Sequence, residues 1–440
     1  MGNVENMELS GNFQTKSWWR MKDTSWLLFV WLMETYFITL ARFVLFRLGV
    51  VDSLLGNVVL IVVASIPLIL LVLDIRQLKP SQYLPGLLLL AAVGVIFGLT
   101  AVFHPEYKHF FLKPQYGIDR ILRPDCAVYA FLFFSMVNDP DDLLEVVRKY
   151  AILDGIYILI VQLTPRLING YFEDVSPSGE TMQFSYSLSF GYATLLPTFV
   201  FLYIYLTERK IGYLLAGIFG CILIFLFGNR GALLMIGIFV GLLFIGNVID
   251  SHRQARRYKL VVVVLALVFL WLIKDVLLYV VNDLFRMFGV ESRTLDLLMA
   301  GKIADDNGRD AIWAAVIEGI KEGGLFGYGV LGDRQFVEPL HYAGYSHNIF
   351  LEMISNFGIL GVLIIGILMI GAFRMIFFCK DRRWRGLFII FFSISCQLLL
   401  SMSYWYVMEF WAAIAIAYRY YSMNKRYRTV DIAYSSGNLS

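Results

Sequence analysis

Residues 211–249 read I-G-Y-L-L-A-G-I-F-G-C-I-L-I-F-L-F-G-N-R-G-A-L-L-M-I-G-I-F-V-G-L-L-F-I-G-N-V-I. Two apolar runs, 211–228 and 231–249, meet at a turn of small and polar residues that carries Arg230. An α-helix needs about 20 apolar residues to cross the hydrocarbon core of a bilayer. These runs therefore predict two consecutive membrane helices joined by a tight turn. The same pattern recurs in both directions along the chain. We place spans at 24–46, 52–73, 83–103, 120–137, 145–164, 184–206, 211–228, 231–249, 258–281, 346–377, 385–402 and 404–421. Asp125, Asp154 and Gln162 interrupt the fourth and fifth. The 440 residues are 59% hydrophobic and 16% charged, whereas soluble domains carry about a quarter charged residues. The fold expected is all-α and polytopic, one membrane domain over 1–440 with about twelve transmembrane helices.

Orientation follows from the basic residues, which concentrate in cytoplasmic loops. With the N-terminus inside, the inner set holds Lys16, Arg20 and Lys22; Arg76 and Lys79; Arg148 and Lys149; and Arg209 and Lys210. It continues with Arg253, Arg256, Arg257 and Lys259; Lys380, Arg382, Arg383 and Arg385; and Lys425, Arg426 and Arg428. We thus expect cytoplasmic tails at 1–23 and 422–440, and larger outer segments near 104–119 and 282–345. The first apolar block is too long for a signal-peptide core and no small-residue cleavage site follows it, so no cleaved leader is expected. The net charge of +3, spread over many short loops, argues against nucleic acid. Cys126, Cys221, Cys379 and Cys396 lie in or beside apolar segments and read as small packing residues, not a disulfide framework.

The segment 282–345, between the ninth and tenth spans, departs from bare membrane. It carries amphipathic stretches near 284–300 and 309–321, then the glycine-rich run G-G-L-F-G-Y-G-V-L-G-D. We expect a partly helical cap on the outer face. Three groups on that face stand out: Arg230, Arg309 at the start of the second amphipathic stretch, and His347 in Y-S-H-N-I-F-L-E-M-I-S-N-F-G-I-L-G. An arginine at a helix end also snorkels to headgroups. Arg309 resists that reading, because a cation in the first helical turn opposes the macrodipole at a cost of about 0.3–1 kcal/mol. Asn348, Glu352 and Asn356 recur every fourth residue and give one helix a polar face. Glu34 and Arg42 read as a pair or as cavity lining. Tyr328, Arg334, His341 and Tyr345 read as lining for an acceptor groove, and Arg120 and Arg123 as headgroup contacts.

The spacing after His347 is H-N, nine residues, then G-x-x-G, filled by His347, Asn348, Gly358 and Gly361. This resembles the signature of the O-antigen ligase and O-antigen (Wzy-type) polysaccharide polymerase superfamily. Arg230, in its small-residue turn followed by A-L-L, and Gly308-Arg309, ahead of the His motif, match the same family in order. The resemblance implies a membrane glycosyltransferase whose donor is an undecaprenyl-pyrophosphate-linked oligosaccharide at the outer leaflet of a bacterial inner membrane. In a polymerase the acceptor is another lipid-linked repeat unit; in a ligase it is the lipid A core. Membrane lipids, a flippase and a chain-length regulator are the implied partners.

The residue chemistry agrees. A sugar hydroxyl needs a general base titrating near neutrality, which suits His347. Ser346 reads as an N-cap, which would put His347 in a first helical turn with a depressed pKa. Arginine recognises phosphate oxygens through planar, bidentate contacts, so Arg230 and Arg309 are the candidate pyrophosphate ligands. Asn348, Glu352, Tyr345 and Arg334 are candidate supports. No metal or cofactor is expected, since the arginines neutralise the diphosphate and no acidic or His cluster faces outward. A twelve-helix transporter is the competing class. The sixth–seventh connection, T-E-R-K, is far too short for the long central loop of that plan.

Overall fold

The computed structural model describes residues 24–50, 53–114, 116–175, 181–184, 187–252, 292–301, 308–341 and 344–437, with isolated residues between 255 and 287. Most of the expected span 258–281, residues 284–286 and 288–291, and the tail 1–23 lie outside the described residues; within 284–300 a short helix runs over Arg293–Met299. Helices α1 (Ser25–Arg47), α2 (Leu54–Asp74) and α3 (Pro80–Phe103) follow the first three expected spans closely. Short α4 (Tyr129–Met136) precedes α5 (Pro140–Tyr157), which continues without interruption to Asn169. Then come α6 (Leu195–Glu208), α7 (Ile211–Phe227) and α8 (Arg230–Ile249). The outer segment holds α9 (Arg309–Glu322) and α10 (Arg334–Val337). Helices α11 (Ile349–Phe357), α12 (Ile359–Phe378), α13 (Arg382–Ser395) and α14 (Met408–Gly437) complete the chain.

Among the described residues, seven helical stretches are long and apolar enough to span a bilayer: 25–47, 54–74, 80–103, 140–169, 188–208, 230–249 and 359–378. Helix α7 is apolar but shorter. Three expected spans are not continuous helices, 385–402 keeping its α-helix only to Ser395. In 120–137, Arg123 is extended (φ −64°, ψ 144°) ahead of Pro124, whose ring disfavours helix at the preceding residue. Only the eight residues of α4 remain helical beyond it, and they are almost wholly buried. In 346–377, Gly358 adopts φ 56° and ψ −128° and divides α11 from α12. The chain is also not purely helical. Phe172–Val175 (β1) and Thr181–Phe184 (β2) pair antiparallel, Phe172 facing Phe184, as a hairpin between the helices.

Local sequence explains the helix starts. Ser53 caps α2 by accepting the Gly56 N–H at 3.0 Å, and Asn229 caps α8 by accepting that of Ala232 at 2.9 Å. Asp139 and Pro140 open α5, the proline filling a position whose N–H has no helical partner. The core lies where α4, α6, α13 and α14 meet, with Phe133, Phe134, Phe199, Ile390 and Phe391 fully buried. The Phe199 and Phe239 rings stack at 4.1 Å and join α6 to α8. Outward faces of α2 and α12 expose Ile61, Val72, Leu363, Ile367 and Ile370, as lipid-facing helices do.

Candidate active site

His347 sits just before α11, and its geometry departs from the expected one. Asn348, not Ser346, is the cap: its Oδ1 accepts the N–H groups of Phe350 at 3.0 Å and Leu351 at 3.3 Å. His347 therefore precedes the cap and is not in the first turn. Its backbone is left-handed at φ 52°, a region few non-glycine residues enter. The side chain is buried, and Nδ1 has no hydrogen-bond partner in the structure. The ring packs 4.4 Å from Tyr345 and 5.2 Å, edge to face, from His341. Burial, then His341, Arg309 and Arg334, push its pKa down to about 3. Burial and Arg309 also lower that of His341. Desolvation leads this shift, where the sequence suggested a helix dipole.

Arg309 opens α9 behind Gly308, whose left-handed φ of 79° turns the chain into the helix. Its guanidinium bears electrostatically on His347, on His341 and on the Tyr192 hydroxyl. Arg230, half-buried, is the first residue of α8, and its turn is fixed by Asn229, whose Nδ2 donates to the Leu188 carbonyl at 3.2 Å. The Tyr192 hydroxyl lies against Gly231, where any side chain would collide with it. Tyr192 thus connects the Arg230 turn to Arg309 and, through Tyr345, to His347. Tyr192 and Tyr345 lie between Arg309, His347 and the turn that carries Arg230.

Beneath His347 lies a polar network that sequence reasoning did not assemble. Asp333, Arg334, Ser346, Glu352 and Asn356 are each fully buried. Arg334 donates through Nη1 to Asp333 Oδ2 at 2.7 Å and through Nη2 to Glu352 Oε1 at 3.2 Å. Glu352 Oε1 also accepts the Ser403 hydroxyl at 2.5 Å, and Asn356 Oδ1 accepts the Asp333 N–H at 3.2 Å. Arg334 packs over the rings of Tyr116 and Tyr345 at 5.4 and 5.9 Å. It cannot line an acceptor groove, because none of its surface reaches solvent. Tyr328 is likewise structural, its hydroxyl donating to the Gly319 carbonyl at 2.7 Å. Glu34 is buried while Arg42 is exposed, and Arg123 pairs with Asp125 instead of projecting outward. A signal for the network existed: a buried Glu352 requires a cation, and Arg334 is the basic residue of the adjoining loop.

The glycine-rich run serves α11. Tyr328 and Gly329 donate their N–H groups to the carbonyls of Ser355 (2.9 Å) and Asn356 (2.8 Å), while Ile359 N–H returns to the Leu325 carbonyl at 2.9 Å. The last carbonyls of a helix lack partners within it, and this loop supplies them. A Cβ on Gly358 would collide with the Leu325 carbonyl, and one on Gly361 with that of Met353. Both glycines of the motif are thus required by close backbone approach. We expect Gly358→Ala to cost about 2–4 kcal/mol through strain and overpacking together, read as a lowered unfolding temperature of the solubilised chain.

Residues 195–366, less than half of the chain, match the family model described as O-Antigen ligase (Wzy_C). Arg230, Arg309 and His347 all lie within the matched segment. No curated protein and no solved structure matches.

Proposed function

We propose that this membrane protein, whose residues 195–366 match the O-Antigen ligase family model, transfers a glycan from undecaprenyl pyrophosphate to a sugar hydroxyl. Members of that family are glycosyltransferase-like enzymes, and lipid-linked glycans and membrane lipids are the partners the family implies. The observation that carries the proposal is His347: a buried imidazole, neutral across the working pH range, with an unpartnered Nδ1 in the field of Arg309.

In this reading the diphosphate of the donor lies between Arg230 and Arg309. Their fixed charges stabilise the negative charge that grows on the leaving group as the glycosidic bond breaks. His347 accepts the proton of the acceptor hydroxyl as the new bond forms. The site faces away from the cytoplasm, where such donors are presented, and both termini lie inside. Tyr345 and Asn348 hold His347 in place, one by packing and one by capping α11. The twin arginines make a metal unnecessary for neutralising the diphosphate.

We assign the acceptor as a second lipid-linked repeat unit, which makes the chain a polymerase. Purified protein incubated with lipid-linked repeat units alone then yields a ladder of longer lipid-linked glycans. Product formed only when lipid A core oligosaccharide is added identifies a ligase instead. No product in either case overturns the proposal.

A further inference from the structure

One oxygen of Asp333 is unusually occupied. Oδ2 accepts the Ser346 hydroxyl at 2.6 Å, the Ser346 N–H at 3.1 Å and Arg334 Nη1 at 2.7 Å. A counter-charge for Arg334 would need only the last of these, and Glu352 already supplies another carboxylate. The remaining two bonds grip Ser346. Its carbonyl is held from the other side by Trp313 Nε1 at 3.1 Å, from the α9 helix that Arg309 opens. The peptide plane entering His347 is therefore clamped, while the Asn348 cap anchors the next residue to the start of α11. Between these two anchored neighbours, His347 is held at its disfavoured φ of 52°.

We infer that Asp333 is a positioning residue for His347, acting through Ser346 to hold the left-handed peptide that aims the imidazole into the site. The inference rests on the reading of His347 as general base. The groups facing His347 are His341 and Tyr345 from the preceding loop, Arg309 from α9 and Arg334 from α10. All belong to the buried pose, so an imidazole released from the clamp moves toward its ordinary pKa of 6.5.

Asp333→Asn and Ser346→Ala in the full chain test this, with Ser346→Ala removing only the hydroxyl bond. Two measurements are needed: donor kinetics per folded molecule, and the pH dependence of His347 modification by diethyl pyrocarbonate, followed by peptide mass spectrometry. We expect donor KM within about twofold of wild type and kcat lower by about 10-fold in Ser346→Ala and 100-fold in Asp333→Asn, the scale of small misplacements of a reacting group. The modification midpoint of His347 should rise toward 6.5 in Asp333→Asn. Wild-type kcat in both variants overturns the inference. So does a loss that merely tracks the folded fraction, or a fall in kcat without the shift in titration. If wild-type protein transfers no glycan, the proposed function fails by itself, and the modification midpoints alone decide the positioning role.

Discussion

His347→Ala is expected to reduce glycan transfer by about 10²–10⁴-fold, the usual contribution of a positioned general base. Membrane insertion and folding should survive, because the imidazole's Nδ1 bonds to nothing that the fold needs. Normal polymer in cells expressing only this variant would remove His347 from the chemistry. The pH dependence is equally specific. With a folded pKa of about 3, the imidazole is in its proton-accepting form throughout the range above about pH 4. A plot of kcat/KM, which reports the free enzyme, should therefore show no acidic limb near 6.5 from this group. Bound diphosphate brings negative charge against Arg309, one of the groups that depresses the value. The pKa of His347 in the complex then rises, making it a stronger base when substrate is present. A plot of kcat should accordingly show an acidic limb at higher pH than that of kcat/KM.

The second large effect is expected at the arginines. Arg230→Lys and Arg309→Lys each keep the charge but lose the fork that meets two phosphate oxygens. We expect donor kcat/KM to fall by about 10–100-fold in each, in keeping with about 1.5–3 kcal/mol for a hydrogen bond to a charged group. Arg309→Lys should also leave the His347 titration nearly unchanged, since the charge is retained. Donor kinetics at fixed acceptor concentration measure both. Wild-type values in the two variants would remove the pyrophosphate from this pair.

Hydropathy made the long helices legible, because α1, α2, α3 and α8 are defined by apolar length and little else. It could not show the break at Gly358, since apolar residues continue on both sides of it and the kink is a backbone event. It misplaced the cap of α11 for a related reason. Ser346 and Asn348 are both good caps, and Asp333, thirteen residues earlier in the chain, claims the serine. The motif residues His347, Arg230 and Arg309 could be picked out from spacing. Arg334 reads in sequence only as groove lining or a support, and Asp333 gives no signal, because charged residues in a polar loop look solvent-exposed until a fold closes over them. The π-helical segment 158–163 and the hairpin at 172–184 left no sequence pattern that distinguished them from an ordinary span end.

The loop that finishes α11 is joined to it by main-chain atoms alone at Leu325, Tyr328 and Gly329. The side chains of Leu325 and Phe326 point away and are about two-thirds exposed, at 66% and 67%. A support made of peptide groups does not constrain what its side chains are. Residues at 325 and 326 are therefore free to be exchanged without disturbing the imidazole, which lies at the opposite end of α11. Such a loop sets the end of α11 through its backbone and leaves its outward side chains free to vary.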